Sequence, residues 1–202
     1  MKKNQVTLIQ GTARLSAKNK VTVNDNTDYS ARHILLATGS RPLQLKGFEC
    51  DEKTVLSSTG ILALTELPQS LVILGGGAIG CEFAYVMNSF GVKVTLVEAL
   101  PQLLPAEDSE ICELLEEQFK RAGIKVLTAT RAKSLKKQKN QITIQLEGGQ
   151  KPEKFNTDKA LVVFGRTPNT ESLGLETVGI QTDDRGYIPV DSHGQTLSLI
   201  HI

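Results

Sequence analysis

Two different hydrophobic rhythms divide the chain. From residue 5 to residue 38, short strand-like runs alternate with turns: residues 6–10, residues 21–23, and residues 33–38 before Gly39-Ser40-Arg41-Pro42 stops the pattern. Residues 34–37 are continuously apolar, which predicts a strand covered on both faces, although the preceding sequence supplies few comparable strands to pair with it. Residues 43–70 read as a connector with one short helical turn near 58–64, capped by Ser57 or Ser58 and ended by Pro68.

The second rhythm begins at residue 71. Residues 71–74 predict a buried strand, 79–90 a helix stopped by Gly91, and 92–97 a second strand. An amphipathic helix is expected over 109–122, with Ile111, Leu114, Leu115 and Phe119 on its apolar face and Gly123 as its C-terminal cap. Residues 124–127, 142–146, the neighbourhood of Phe155 and 160–164 complete a strand series broken by turns such as Gly148-Gly149. The expectation is therefore an α/β fold. A βαβαβ domain of Rossmann type spans 68–168 and carries an antiparallel excursion before its returning strand, with 1–67 before it and 169–202 after it.

Composition removes several function classes. The 202 residues hold 23 basic and 22 acidic side chains, a net charge of +1, so no electrostatic case exists for a nucleic-acid or polybasic membrane partner. Aromatic residues make up 4% and tryptophan is absent, which argues against a stacking surface for single strands. The basic residues Arg131, Lys133, Lys136, Lys137 and Lys139 lack interleaved aromatics and read as a solvated hairpin flank. Cys50, Cys81 and Cys112 form neither a disulfide framework nor a metal-ligand cluster, so a reducing, cytoplasmic setting and no metal are expected. No apolar run reaches the ~20 residues that cross a bilayer.

The chemistry concentrates at Gly75-Gly76-Gly77-Ala78-Ile79-Gly80, a G-x-G-x-x-G sequence placed directly after a predicted strand and at the opening of a helix. Gly75 allows the tight turn, Gly77 lets a pyrophosphate approach the backbone, and Gly80 permits close helix-to-strand packing. The helix N-terminus then offers unsatisfied amides to the phosphates. Glu98 follows the second strand, about 20 residues on, where a carboxylate accepts hydrogen bonds from an adenosine ribose. A 2′-phosphate beside Glu98 would place like charges together, and Ala99-Leu100-Pro101-Gln102 contain no arginine to compensate, so NAD is favoured over NADP. Plainer readings stand beside these: a glycine-rich structural turn, a surface carboxylate at Glu98, a solvent-facing Glu82 near the positive end of the helix dipole, and a Cys81 that packs rather than attacks. His33, His193 and His201 have no evident acid-base partner and read as structural.

Taken in order, several segments resemble the class I pyridine nucleotide-disulfide oxidoreductases, the flavoprotein disulfide reductases, and among them those that oxidise dihydrolipoamide. They are Ala37-Thr38-Gly39-Ser40-Arg41-Pro42, Ser57-Ser58-Thr59-Gly60, Glu66-Leu67-Pro68, the stretch from Gly75 to Ala84, Val94-Thr95-Leu96-Val97-Glu98, Gly165-Arg166-Thr167-Pro168-Asn169, and Asp184-Arg185-Gly186-Tyr187-Ile188-Pro189-Val190-Asp191. The resemblance covers residues 5 to 196. It implies that Gly75, Gly76, Gly77, Ala78, Ile79, Gly80, Cys81, Glu82, Glu98, Ala132 and Gly165 lie at or beside NAD, while Gly11, Ala37, Thr38 and Gly39 border FAD. Glu82 would sit near the nicotinamide on its flavin side. On the same resemblance, 1–67 and 169–202 are incomplete pieces of an FAD-binding domain. Dihydrolipoamide on a carrier domain of a 2-oxoacid dehydrogenase complex would reduce an active-site disulfide, and NAD would finally take the hydride from reduced flavin.

The departures matter as much. The family's first FAD fingerprint, its CxxxxC pair, its GD motif, its His-Glu pair and its dimer-forming interface domain have no counterpart in these residues, and 197–202 depart from the pattern. The expectation is an internal piece of a longer enzyme, inactive alone because hydride transfer needs both cofactors in reacting geometry, with weak NAD binding retained and a homodimer formed only through the interface domain. Another flavin-dependent disulfide or mercuric reductase, or a stand-alone NAD-binding module, would satisfy the same motifs.

Overall fold

A computed structural model of the chain describes residues 2–138, 141–148 and 154–196. It comprises two compact units: Pro42–Arg166, and Met1–Arg41 together with Thr167–Ile202. In chain order the strands and helices are β1 (Ala13–Ala17), β2 (Lys20–Val23), β3 (Thr27–Ser30), β4 (Ser40–Pro42), β5 (Val55–Leu56), α1 (Ser58–Leu62), β6 (Ser70–Leu74), α2 (Ala78–Ser89) and β7 (Lys93–Val97). There follow α3 (Ser109–Arg121), β8 (Lys125–Leu127), β9 (Thr130–Gln138), β10 (Gln141–Gly148), β11 (Lys154–Thr157), β12 (Lys159–Val162) and β13 (Arg166–Pro168). Short 3-10 helices occupy Lys2–Asn4 and Leu175–Val178.

The unit Pro42–Arg166 is built on a parallel sheet of strand order β5-β12-β6-β7-β8. Its central strand β6 is an unbroken apolar run because both of its faces are covered. Leu71 and Ile73 join Leu96, Ala84, Met87 and Phe119 in one buried cluster, where α2 and α3 pack. Val72 and Leu74 face the other way, into a cluster with Val162, Ile142, Ile144 and Leu146. The second cover is the antiparallel meander β11-β10-β9, whose β10 alternates Ile142, Ile144 and Leu146 toward the sheet. A bulge between Gln145 and Leu146 shifts the pairing so that Leu146 meets Ala132.

Local chemistry fixes the ends of these elements. Ser57 caps α1 by accepting from the Thr59 amide at 3.1 Å, and Asp108 caps α3 by accepting from the amides of Glu110 and Ile111. Past α2, Gly91 takes φ 83° and closes the helix through its amide to the Asn88 carbonyl. At the start of the sheet, Ser70 and Asp158 exchange hydrogen bonds: the Ser70 amide donates to the Asp158 carboxylate, and the Asp158 amide donates to the Ser70 hydroxyl. Asp51 gathers the amides of Lys53, Thr54 and Val55 together with the Lys137 ammonium at 2.8 Å, tying the approach to β5 to the meander.

The unit boundary lies at residue 42, where a domain start at 68 was expected. The connector 43–67 contributes β5, which pairs in parallel with β12 and so belongs to the sheet. The apolar face of α3 differs in part from the expected one. Phe119 is buried and Leu115 packs on the core as expected, and Cys112 is buried with them, whereas Ile111 is 60% and Leu114 52% exposed. The helix lies on the sheet through a face rotated from the stripe that its aliphatic residues suggest. In β9, Arg131, Lys133, Lys136 and Lys137 are exposed, and Lys133 and Lys137 pair with Glu147 and Asp51. Lys139 and Gly149 lie outside the described residues.

In the other unit β1, β2 and β3 form an antiparallel sheet; β4 and β13, which pair with each other, contain the residues at which the chain passes from one unit to the other. Two expected strands are absent here. Residues 6–10 and 31–39 have no ladder, and Leu35 is 89% exposed. The apolar run 34–37 has the composition of a covered strand, but a strand also needs hydrogen-bonding neighbours, and among the described residues none pairs with it. His33 and His193 are exposed, and His201 and residues 197–202 lie outside the described residues.

Two outcomes follow for stability. Ile73→Ala empties a fully buried site between sheet and helices and is expected to cost about 2–5 kcal/mol, whereas Leu35→Ala is expected to cost under about 0.5 kcal/mol; urea unfolding of the two variants measures the contrast. Burial opposes ionisation of Asp51, but Lys137 and the three amides outweigh it and hold its carboxyl below the usual carboxylate range. A lowered folded value means stabilisation that is complete above the unfolded value of about 3.9 and is lost as pH falls below it. Unfolding midpoints from pH 5 to pH 2 are therefore expected to fall more steeply for the parental protein than for Asp51→Asn.

Candidate functional site

Strand order reverses between β6 and β12: the chain runs outward from β6 through β7 to β8, then returns to β12 on the opposite side of β6. The carboxyl edge at such a reversal is where open α/β sheets form a crevice, and the glycine-rich turn sits there. Gly75 adopts φ 118°, its amide donates to the Val97 carbonyl at 2.9 Å, and a Cβ on it would meet the Val163 carbonyl oxygen at 2.5 Å. A Cβ on Gly80 would fall on the Gly75 carbonyl oxygen, so β6 and α2 can approach only without a side chain at that position. At Gly77, the N-cap of α2, a Cβ would meet nothing within 4 Å.

That open position is the test of fit for a pyrophosphate. No side chain caps α2. Its leading amides have no acceptor within the helix, and the positive end of the helix dipole faces the space beside Gly77. Ala78 and Ile79 form the first turn, with Ile79 at the rim of a neighbouring cleft.

Gly76, the variable position of the motif, is held on every side. Its amide donates to Glu98 Oε2 at 2.6 Å, and its carbonyl accepts from the Leu104 amide at 2.9 Å and the Cys81 thiol at 3.4 Å. A side chain there would strike Leu103 Cδ2 at 2.7 Å and Glu98 Cβ at 2.8 Å. Glu98 is 8% exposed, and its second oxygen accepts from the Leu100 amide at 2.8 Å. A carboxylate has about four lone-pair sites, so both oxygens keep capacity for a ribose hydroxyl. The sequence pattern pointed Glu98 at a ribose; its hold on the glycine turn was not legible there.

Cys81 is buried below this turn, where desolvation first and the charge of Glu98 next push its thiol up to about 12. It is a packing residue without nucleophilic character at neutral pH. Desolvation also raises the thiols of Cys112 and Cys50. Among the described residues no group of three His, Cys, Asp or Glu side chains is placed to hold a metal ion.

A cleft of about 650 Å³ opens beside the turn, lined by Ser58, Thr59, Leu62, Ile79, Glu82, Phe83 and Arg166, among others. It brings the exposed Glu82 together with Arg166, the residue after Gly165, and with α1. The contribution of α1 was not legible, since only the pairing of β5 with β12 carries it here. Gly165 takes φ 136°, and its carbonyl accepts from the Leu43 amide at 3.0 Å. Ala132 stands apart in β9, packed against the buried cluster of the meander; its strand is tied to the turn by the Thr130 amide, which donates to the Glu98 carbonyl at 2.9 Å.

The segments expected to border a flavin are held by different partners in the other unit. A Cβ on Gly11 would meet Val23 and Asn24 side-chain atoms at 2.5–2.8 Å, so those side chains would have to shift to admit one. Ala37, Thr38 and Gly39 are exposed; Gly39 has φ 70° and open space where a Cβ would stand, a backbone that a large planar ligand could approach.

A model of the pyridine nucleotide-disulphide oxidoreductase family matches residues 1–202. The chain belongs to that family. It is 40% identical over 199 residues to a dihydrolipoyl dehydrogenase of Thermus scotoductus and 39% identical over 198 residues to one of Chlamydia pneumoniae. Each alignment covers 97% of the chain but only 43% and 42% of the relative, so the chain spans less than half the length of these proteins. Among solved structures it superposes on the HOCl-induced flavoprotein disulfide reductase RclA from Escherichia coli with a TM-score of 0.81 at 32% identity, covering 94% of this chain and 43% of that one. LpdA from Mycobacterium tuberculosis gives a TM-score of 0.78 at 31% identity, with 94% and 41% covered. The expected α/β architecture with an antiparallel excursion is thus that of the family's solved members. Among the described residues no helix is long and apolar enough to cross a membrane.

The turn yields a direct test. Gly80→Ala sets a methyl group against the Gly75 carbonyl, where only backbone could give way, and is expected to destabilise the protein by about 1–3 kcal/mol; chemical denaturation of the variant beside the parental protein measures it.

Proposed function

We propose that the unit Pro42–Arg166 binds NAD and that the whole protein is a dihydrolipoyl dehydrogenase, oxidising dihydrolipoamide through a redox disulfide and FAD. The observation that carries this reading is the buried Glu98 carboxylate locked to Gly76, beside an open position at Gly77. NAD bound there supplies the acceptor for a hydride from reduced flavin. The residues around it bind and orient. The amides at the start of α2 receive the pyrophosphate, Gly75 and Gly80 let β6 and α2 close around the turn, and Glu98 takes the adenosine ribose. Ala132 lies toward the adenosine end and Gly165 toward the cleft, where Glu82 and Ile79 flank the nicotinamide. Gly11 and the segment of Ala37, Thr38 and Gly39 border FAD.

Glu98 also supports a preference for NAD over NADP. A 2′-phosphate would bring its charge against a carboxylate already fixed by two backbone amides, which cannot turn away without releasing Gly76. The partner that this reading implies is a lipoyl-bearing carrier domain of a 2-oxoacid dehydrogenase complex, met in the cytoplasm by a homodimer of the whole protein. The 202 residues by themselves are expected to bind NAD weakly and to turn over no dihydrolipoamide, because flavin-to-nicotinamide transfer needs both cofactors held in reacting geometry.

Calorimetric titration with NAD and NADP tests the site. NAD is expected to bind at least about ten-fold more tightly than NADP, and equal affinity, or no NAD binding at millimolar ligand, overturns the assignment. For the activity, a protein of the relatives' full length is expected to reduce NAD with dihydrolipoamide, and failure to do so with flavin bound removes the substrate reading.

A further inference from the structure

Asn169 commits all of its polar groups to one short segment of chain. Its backbone amide donates to the Gly39 carbonyl at 3.0 Å, and its side-chain Nδ2 donates to the Thr38 carbonyl at 3.0 Å. Its backbone carbonyl accepts from Thr38 Oγ1 at 2.7 Å, and its side-chain Oδ1 accepts from Arg41 Nη1 at 3.0 Å. Arg41 extends the clasp, donating to the Pro168 carbonyl at 3.3 Å and forming a bidentate pair with Glu171 at 2.7 and 2.8 Å. These bonds join positions about 130 residues apart in sequence.

Solvent-facing hydrogen bonds and ion pairs contribute little to stability one by one. So dense a set at an exposed place acts instead on placement. Thr38 and Gly39 lie outside any ladder, Gly39 sits at φ 70°, and both carbonyls are turned onto one residue. Few side chains could replace asparagine there. Ionised aspartate keeps the acceptor for Arg41 but has no donor for the Thr38 carbonyl, and glutamine carries the amide one methylene farther out.

We infer that Asn169 is a positioning residue for the flavin, holding the Thr38–Gly39 peptide in the conformation that borders FAD. The inference rests on the proposed function, in which Thr38 and Gly39 line the flavin. It adds a residue outside both cofactor segments whose loss is felt first by FAD.

The test uses the full-length flavoprotein, with FAD dissociation constants from flavin fluorescence on reconstituting the apoprotein, the flavin reduction potential, and NAD dissociation constants from calorimetry. Asn169→Ala and Asn169→Asp are each expected to weaken FAD binding at least about ten-fold and to move the potential, with NAD affinity unchanged within about two-fold. Thr38→Val, which removes only the hydroxyl contact, is expected to weaken FAD binding less than either and serves if the Asn169 variants do not fold. FAD affinity and potential unchanged in the variants, whatever happens to thermal stability, would overturn the inference, as would equal losses of FAD and NAD binding. A parental protein that takes up no FAD would instead fail the proposed function.

Discussion

The close approach of β6 to α2 is the constraint on which the Pro42–Arg166 unit depends. Gly75, Gly76 and Gly80 leave no room for side chains between the Gly75 carbonyl, the Val163 carbonyl, Leu103 and Glu98, while Gly77 stands open. Only under that condition does the N-terminus of a 12-residue helix open on the carboxyl edge of the sheet. The apolar packing behind it makes the turn rigid: Ile73, Ala84 and Met87 fill the helix side, while Val72 and Leu74 meet the meander. A site for a dinucleotide here is a consequence of how the core closes.

Much of this was legible in the sequence because the constraint is local. A strand, a G-x-G-x-x-G turn and a helix lie within 20 residues, and their order carries the geometry. β6 reads as a buried strand because cover on both faces demands an unbroken apolar run. The same inference failed for residues 34–37. Leu35 has the composition of a covered strand, yet pairing is a property of neighbours that composition does not contain. In α3, the expected stripe held at Leu115 and Phe119, but the placement of the helix on the sheet selects Cys112 in place of Ile111 and Leu114. Ile111 and Leu114 show that a hydrophobic side chain on a helix need not be an inward one.

The candidate site was less legible wherever long-range contacts create it. Glu98 could be found by its distance from the glycines, but its hold on Gly76 and Leu100 required the folded turn. Ser58 and Thr59 lie in a segment that resembles the family, but they reach the cleft beside Phe83 only because β5 and α1 join the sheet beside β12. Cys81 shows the opposite case. Its isolated position in the sequence read as packing, and burial under the turn, which pushes its thiol up to about 12, agrees with that reading.

Glu98 and Asn169 share one principle. Each is a small polar group that satisfies backbone atoms brought together from distant parts of its own unit, and each thereby sets the shape of a peptide lying beside it. At Glu98 the fixed peptide is Gly76, and the buried carboxylate keeps lone pairs for a ligand. At Asn169 the fixed peptide is Thr38–Gly39, and every bond the residue makes runs to Thr38, Gly39 or Arg41. Glu98 lies beside the open position at Gly77, whereas Asn169 lies against a peptide of its own chain. A carboxylate next to open space can meet a ligand directly, while a side chain bonded along one peptide acts by holding that peptide in place. That difference in surroundings makes Glu98 a candidate binding residue and Asn169 a positioning one, although each was met in sequence as part of a motif.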